Sequence, residues 1–146
     1  MDLMNRVTFS YDDIDQAFPP CDPGVEPFGS RVLVQVRTPM RKTAGGIMLV
    51  RGGDTEETEY WSVQVAKVLA VGPLAFKNRT TREPWPEGAW CEPGDFVRTP
   101  KFGGDRWTVK VKIGTEDETE ALIVIYNDLD LIGDVTGDPT KIKAFI

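Results

Sequence analysis

Apolar and polar residues alternate at every second position over residues 31–37. Val32, Val34 and Val36 share one face, while Arg31, Leu33, Gln35 and Arg37 share the other. A period of two with β-branched side chains predicts a half-buried strand, which Pro39 ends. The period returns over residues 61–71: Val63, Val65, Lys67, Leu69 and Val71 fall in one phase, Ser62, Gln64, Ala66 and Val68 in the other. Residues 95–99 and 106–113 read as further strands, the latter with Val109, Val111 and Ile113 on one face and Lys110 and Lys112 outward. Gly103-Gly104-Asp105 supplies the turn between them. The acidic stretch 115–120 is expected as a loop leading into an apolar strand at 121–126.

Elsewhere the alternation fails in informative ways. Ser10 followed by Asp13 resembles a capping box, so residues 11–18 are expected as a short helix with an acidic first turn, ended by Pro19-Pro20. Pro23-Gly24 and Pro27 then impose an extended connection, and residues 1–26 read as an arm packed on the main body. Between 73 and 93 the pattern is lost in Pro84-Trp85-Pro86-Glu87-Gly88-Ala89-Trp90, where two prolines fit ladder positions badly. Trp85 and Trp90 are expected to pack locally or against a neighbouring subunit. The tail, residues 136–146, alternates and ends apolar, so it is expected as an edge strand. Several short strands with Gly/Pro turns imply a small all-β barrel.

One stretch does not fit a plain strand reading. Lys42-Thr43-Ala44-Gly45-Gly46-Ile47-Met48-Leu49-Val50 sets two glycines against four large apolar residues, ahead of the acidic run 54–59. Paired glycines loosen the backbone. The four apolar residues either enter the core as a strand or await a partner, and the residues alone leave both readings open.

Composition narrows the chemistry. With 146 residues, one domain with a sizeable core is expected. A net charge of -6 disfavours nucleic acid and anionic membrane surfaces as partners. No apolar run approaches the roughly 20 residues that span a bilayer. The first residues lack the build of a signal peptide, so a cytoplasmic location is expected. Cys21 and Cys91 are then expected as free thiols. The chain has no histidine, which excludes Ser-His-Asp and Cys-His catalysis and removes the commonest transition-metal ligand. Asp128-x-Asp130 is not a calcium loop, because Ile132 and Pro139 occupy ligand positions. Glu116, Asp117, Glu118 and Glu120 read as a solvated run. No catalytic residue, cofactor or metal site is expected.

In chain order, Pro27-Phe28-Gly29-Ser30-Arg31-Val32-Leu33-Val34, Thr43-Ala44-Gly45-Gly46-Ile47-Met48-Leu49, Val68-Leu69-Ala70-Val71-Gly72, Pro93-Gly94-Asp95-Phe96-Val97, Lys101-Phe102-Gly103-Gly104 and Leu122-Ile123-Val124-Ile125 with Asp128-Leu129-Asp130-Leu131-Ile132 form a series of motifs. The series resembles the co-chaperonin (GroES, chaperonin-10) family, the lids of bacterial chaperonins. It covers about residues 27–135, leaving an extension at 1–26 and another at 136–146. The resemblance implies a mobile loop at about 38–60 and a roof segment at about 73–93.

It also implies a function. Gly45, Gly46, Ile47, Met48 and Leu49 would be the chaperonin-binding residues, docking on the apical domains of a GroEL-type chaperonin in its ATP- or ADP-bound state. Met48 stands where the family usually has Val. Subunits would form a homo-heptamer, with the strand at 31–37 and the strands after Ala121 pairing between neighbours. The ring would displace and encapsulate a substrate protein. The alternative is a viral, phage-encoded structural or adaptor barrel that kept the fold and lost the chaperonin; the location would then be the host cytoplasm.

Overall fold

The computed structural model describes residues 14–38, 64–113 and 117–142. Six strands, β1 (Arg31–Val36), β2 (Val65–Val71), β3 (Phe96–Arg98), β4 (Asp105–Ile113), β5 (Asp117–Asn127) and β6 (Gly133–Asp134), form one sheet in the order β4-β5-β1-β2-β3-β6. Every ladder is antiparallel. Among the described residues helix is limited to α1 (Ile14–Ala17) and a 3-10 turn at Asp128–Asp130. The expected capping box and the first part of the expected helix at 11–18 lie outside the described residues.

β1 is buried on both faces, not half-buried. Val32, Val34 and Val36 meet Ala66, Val68, Val124 and Tyr126 in the main core. On the opposite face Leu33 packs with Val111, Ala121 and Ile123. Gln35, only 1% exposed, keeps its hydrogen bonds by turning to the arm. Its Nε2 donates to the Pro19 carbonyl at 2.8 Å, and its Oε1 accepts from the Cys21 thiol at 3.6 Å. The arm continues across this face, where the Trp107 indole donates to the Pro23 carbonyl at 3.3 Å. A polar residue in an alternating pattern thus marks a face covered by chain from elsewhere, not a wet one.

The strand at 61–71 does not keep a single phase. Leu33 lies opposite Ala70 and Val34 opposite Val68, which makes Leu69 the extra residue of a bulge. Ala66 and Val68 face the main core, Leu69 and Ala70 join the second cluster, and Val71 returns to the first. Residues 61–63 lie outside the described set, as does the acidic run 54–59.

The acidic stretch 115–120 is not a loop over its described part: Asp117 to Glu120 belong to β5. The register sets Lys110 opposite Glu120 and Lys112 opposite Glu118. Opposite charges across an antiparallel pair favour the ladder, and Lys110 with Glu120 is such a pair.

The tail does not add an edge strand over its described residues. After β6 the chain turns, with the amides of Lys141 and Ile142 both donating to the Asp138 carbonyl. Ile142 then packs on Ala17, Phe18 and Val65 of the same chain.

Candidate functional site

The expected binding residues Gly45, Gly46, Ile47, Met48 and Leu49 lie in 39–63, outside the described residues. The structure instead defines the base from which that segment leaves the sheet. β1 runs out through Arg37 and Thr38, and the chain returns at Gln64 and Val65. These ends are adjacent, because the Arg37 amide donates to the Val65 carbonyl at 2.8 Å. The chain therefore leaves for residue 39 and returns from residue 63 at one point of the sheet. Gln64 is fixed to the chain leaving β3: its carbonyl accepts the Thr99 amide at 3.1 Å, and its Nε2 donates to the Thr99 carbonyl at 3.3 Å.

Motif reading missed the residues that hold this base. Thr38 donates both its amide, at 2.8 Å, and its hydroxyl, at 3.0 Å, to the Ala17 carbonyl. The Arg37 guanidinium donates to the carbonyls of Pro139 and Ile142, at 2.8 and 2.7 Å. Ala17, Phe18 and Val65 are fully or almost fully buried together, against Phe96, Val135 and Ile142. The charge of Arg37 beside the predicted loop is visible in the sequence; its burial and its carbonyl partners, a hundred residues on, are not.

The segment at 73–93, expected as the roof, is irregular but does contain one bridge, Lys77 opposite Pro84. The flanking bonds are Trp85 amide to Phe76 carbonyl at 3.0 Å and Asn78 amide to Glu83 carbonyl at 2.7 Å. Pro84 thus occupies a position where the ladder asks for no N–H, which is why the proline is tolerated. The rings of Phe76, Trp85 and Trp90 pack locally, with centroids 4.8–6.0 Å apart. Asp128 pins this unit to the sheet: its carboxylate accepts the Phe76 amide at 2.9 Å and the Leu129 amide at 2.8 Å, while its own amide donates to Ser30.

Two motif glycines are steric requirements. A Cβ on Gly72 would stand 2.2 Å from the Gly29 carbonyl oxygen, and Gly104, at φ +74, would place one 2.6 Å from Val124. Several large apolar side chains stand exposed: Phe28 is 82% exposed, Leu129 71% and Ile132 62%. Cys21 and Cys91 are free thiols. Burial, then the charges of Asp95 and Asp134, push Cys91 up to about 11. Burial, with Asp22 next, also raises Cys21. Neither is an activated nucleophile. Among the described residues no cluster of acidic, cysteine or histidine side chains could hold a metal, and no helix is long and apolar enough to cross a membrane.

Among the described residues the chain is a six-stranded antiparallel sheet, with the two flanks of 39–63 bonded to each other at the Arg37 end of β1 and the aromatic unit held at its Ser30 end. The family model described as Cpn10, chaperonin 10 Kd subunit, matches residues 24–129, and the chain belongs to this co-chaperonin family. Co-chaperonins are oligomeric, non-enzymatic partners of GroEL-type chaperonins. The match includes the arm's end, both flanks of 39–63 and the roof segment; α1 and the tail fall outside it.

One implied feature needs correction. β1 lies between β2 and β5 and uses both of its edges within the chain. In the single chain it has no open edge left to pair with a neighbouring subunit. Of the strands after Ala121, β5 is occupied by β1 over 123–127; among the described residues β6 has one open edge, and β4 forms the other margin of the sheet.

Proposed function

We propose that the chain is a co-chaperonin that caps a GroEL-type chaperonin ring in the presence of nucleotide and encloses a substrate protein, with Gly45, Gly46, Ile47, Met48 and Leu49 as the contact. The observation that carries this reading is the closed base at Arg37 and Val65. It ties together the two flanks of residues 39–63, whose sequence holds Thr43-Ala44-Gly45-Gly46-Ile47-Met48-Leu49, within a family match that spans both flanks. Ile47, Met48 and Leu49 fill an apolar groove on the apical domain, and the glycines let the segment adapt to it.

We read residues 27–135 as the co-chaperonin body, with 1–26 and 136–146 as extensions, and the sheet as the wall of a small barrel. Residues 99–104 join β3 to β4, which the strand order sets about 19 Å apart in a flat sheet. The Tyr126 hydroxyl of β5 donates to the Pro100 carbonyl at 3.3 Å. Both features favour a curled sheet. Subunits assemble as a heptamer, for which Phe28, Leu129 and Ile132 supply exposed apolar contacts.

Native mass spectrometry tests the assembly: a species of about 114 kDa, seven times 16.3 kDa, is expected. Ile47→Asp and Leu49→Asp should keep that species and lose nucleotide-dependent chaperonin binding. A variant ring that still binds and still modulates chaperonin ATPase sinks the assigned contact. A monomer at micromolar concentration moves the adaptor-barrel reading ahead.

A further inference from the structure

We propose that the two segments outside the family match close a collar around the base of residues 39–63, with Arg37 as its positioning residue for chaperonin binding. The proposal rests on the chaperonin reading for its consequence, but on described geometry for the collar itself.

The collar has three parts. The N-terminal segment arrives as α1, capped against the base by the double donation of Thr38 to the Ala17 carbonyl. The C-terminal tail arrives from the opposite end of the chain and turns at Asp138. Its carbonyls at Pro139 and Ile142 then accept from the same Arg37 Nη1. Between them lies an apolar plug in which Phe18 stacks on Phe96 with ring centroids 5.0 Å apart, and Val65 and Ile142 complete the contact. The Val135 amide donates to Phe96 at 2.9 Å, so the tail is threaded to β3 before it reaches Arg37.

The arrangement joins three sequence-distant pieces at one place, and Arg37 is the residue that touches two of them. Its amide closes the base to Val65, and its guanidinium holds the tail. Carbonyls at the end of a turn are good acceptors for a cation, and such charge-assisted bonds are the stronger kind. With the collar closed, the end of β1 and the start of β2 are already fixed when the segment between them docks. Without the collar, the exits of β1 and β2 must be ordered at the moment of binding, which weakens it.

A single nitrogen makes both tail bonds, so an ammonium can replace it and a neutral amide cannot do so equally well. The test uses the full chain as wild type, Arg37→Lys and Arg37→Gln, with a chain ending at Gly137 as an independent route to the same loss. Three quantities are read: amide hydrogen exchange at Thr38 against Val34 and Val124, the mass of the assembly, and nucleotide-dependent affinity for the chaperonin. Arg37→Gln and the shortened chain should exchange at Thr38 at least about tenfold faster, with Val34 and Val124 and the assembly unchanged, and bind about tenfold more weakly. Arg37→Lys should restore both. Unchanged exchange at Thr38 in both altered chains overturns the collar. Faster exchange with unchanged affinity overturns the positioning role and leaves a structural clasp. If wild type itself fails to bind any chaperonin with nucleotide, the functional reading falls, and the positioning role with it, while exchange still decides the collar.

Discussion

At the scale of single residues, two positions carry sharp consequences. Gly72 donates its amide to Arg31 at 2.8 Å, and a methyl group there would meet backbone on two sides, the Gly29 and Arg31 carbonyls. Backbone cannot swing away as a flexible side chain can. Gly72→Ala is therefore expected to cost about 2–4 kcal/mol, read from the denaturation midpoint at fixed protomer concentration. A loss under about 1 kcal/mol would show that the turn at 29–31 gives way freely. Cys91 offers a pH signature. Its thiol is raised from 9.0 to about 11 in the folded chain, by burial before the neighbouring carboxylates. Below pH 9 both states keep the proton and the group contributes no pH dependence. Between about 9 and 11 the unfolded chain releases its proton while the folded chain holds it, so stability falls as pH rises. The fall ends near 11, once the folded chain has also released the proton. Cys91→Ala should flatten that part of the stability curve relative to wild type; an unchanged slope would assign it to tyrosines and lysines.

At the scale of elements, the roof segment depends on one buried carboxylate. Phe76 adopts φ 61, a conformation that a bulky residue holds only under constraint. Asp128 supplies the constraint by accepting the Phe76 amide, and the Trp85 and Trp90 rings close over it. Asp128→Asn keeps the size but turns one acceptor into a donor facing an amide. It should destabilise the protein by about 1–3 kcal/mol and weaken near-ultraviolet circular dichroism from the tryptophans before the sheet melts. Coincident loss of both signals would show that the roof segment is not a separate unit.

The strands themselves were legible where β-branched residues alternate: the expectations at 31–37, 95–99, 106–113 and 121–126 each fall on an observed strand. What alternation could not show was the far side of β1, because Gln35 is buried by the arm and not by its neighbours in sequence. Nor could it show the bulge at Leu69, which reverses phase without any Gly or Pro to announce it. The charged half of β5 reads as a solvated loop until Lys110 and Lys112 are set across from it. For the site, the residues that the sequence leads one to expect as the contact fall in a segment the structure does not describe. The residues that bolt its base come from both chain ends, and no local pattern links Arg37 to Pro139.

For the whole molecule, the question is how a weak contact becomes a useful one. Under the proposed function, burying Ile47, Met48 and Leu49 contributes about 5–8 kcal/mol. Ordering the surrounding residues costs on the order of 1 kcal/mol each, so one subunit binds barely at all. Linked copies change this, because each later contact is intramolecular and avidity multiplies. Binding should therefore depend on assembly as steeply as on the contact itself. Since β1 has no open edge, assembly needs surface beyond the strand first assigned to it. Phe28 and Leu129 flank the Asp128–Ser30 hydrogen bond, and both are mostly exposed in the single chain. Exposed aromatic and aliphatic side chains of this size mark contact sites when several occur together. Phe28→Asp with Leu129→Asp should leave the fold intact by circular dichroism, shift native mass to the 16.3 kDa subunit, and abolish chaperonin binding although 39–63 is untouched. If the doubly altered chain still forms the large species, the interface lies elsewhere, with the β4 and β6 edges next to examine. If it becomes a monomer yet binds as wild type does, the avidity argument fails and the single contact must be far stronger than its three side chains allow.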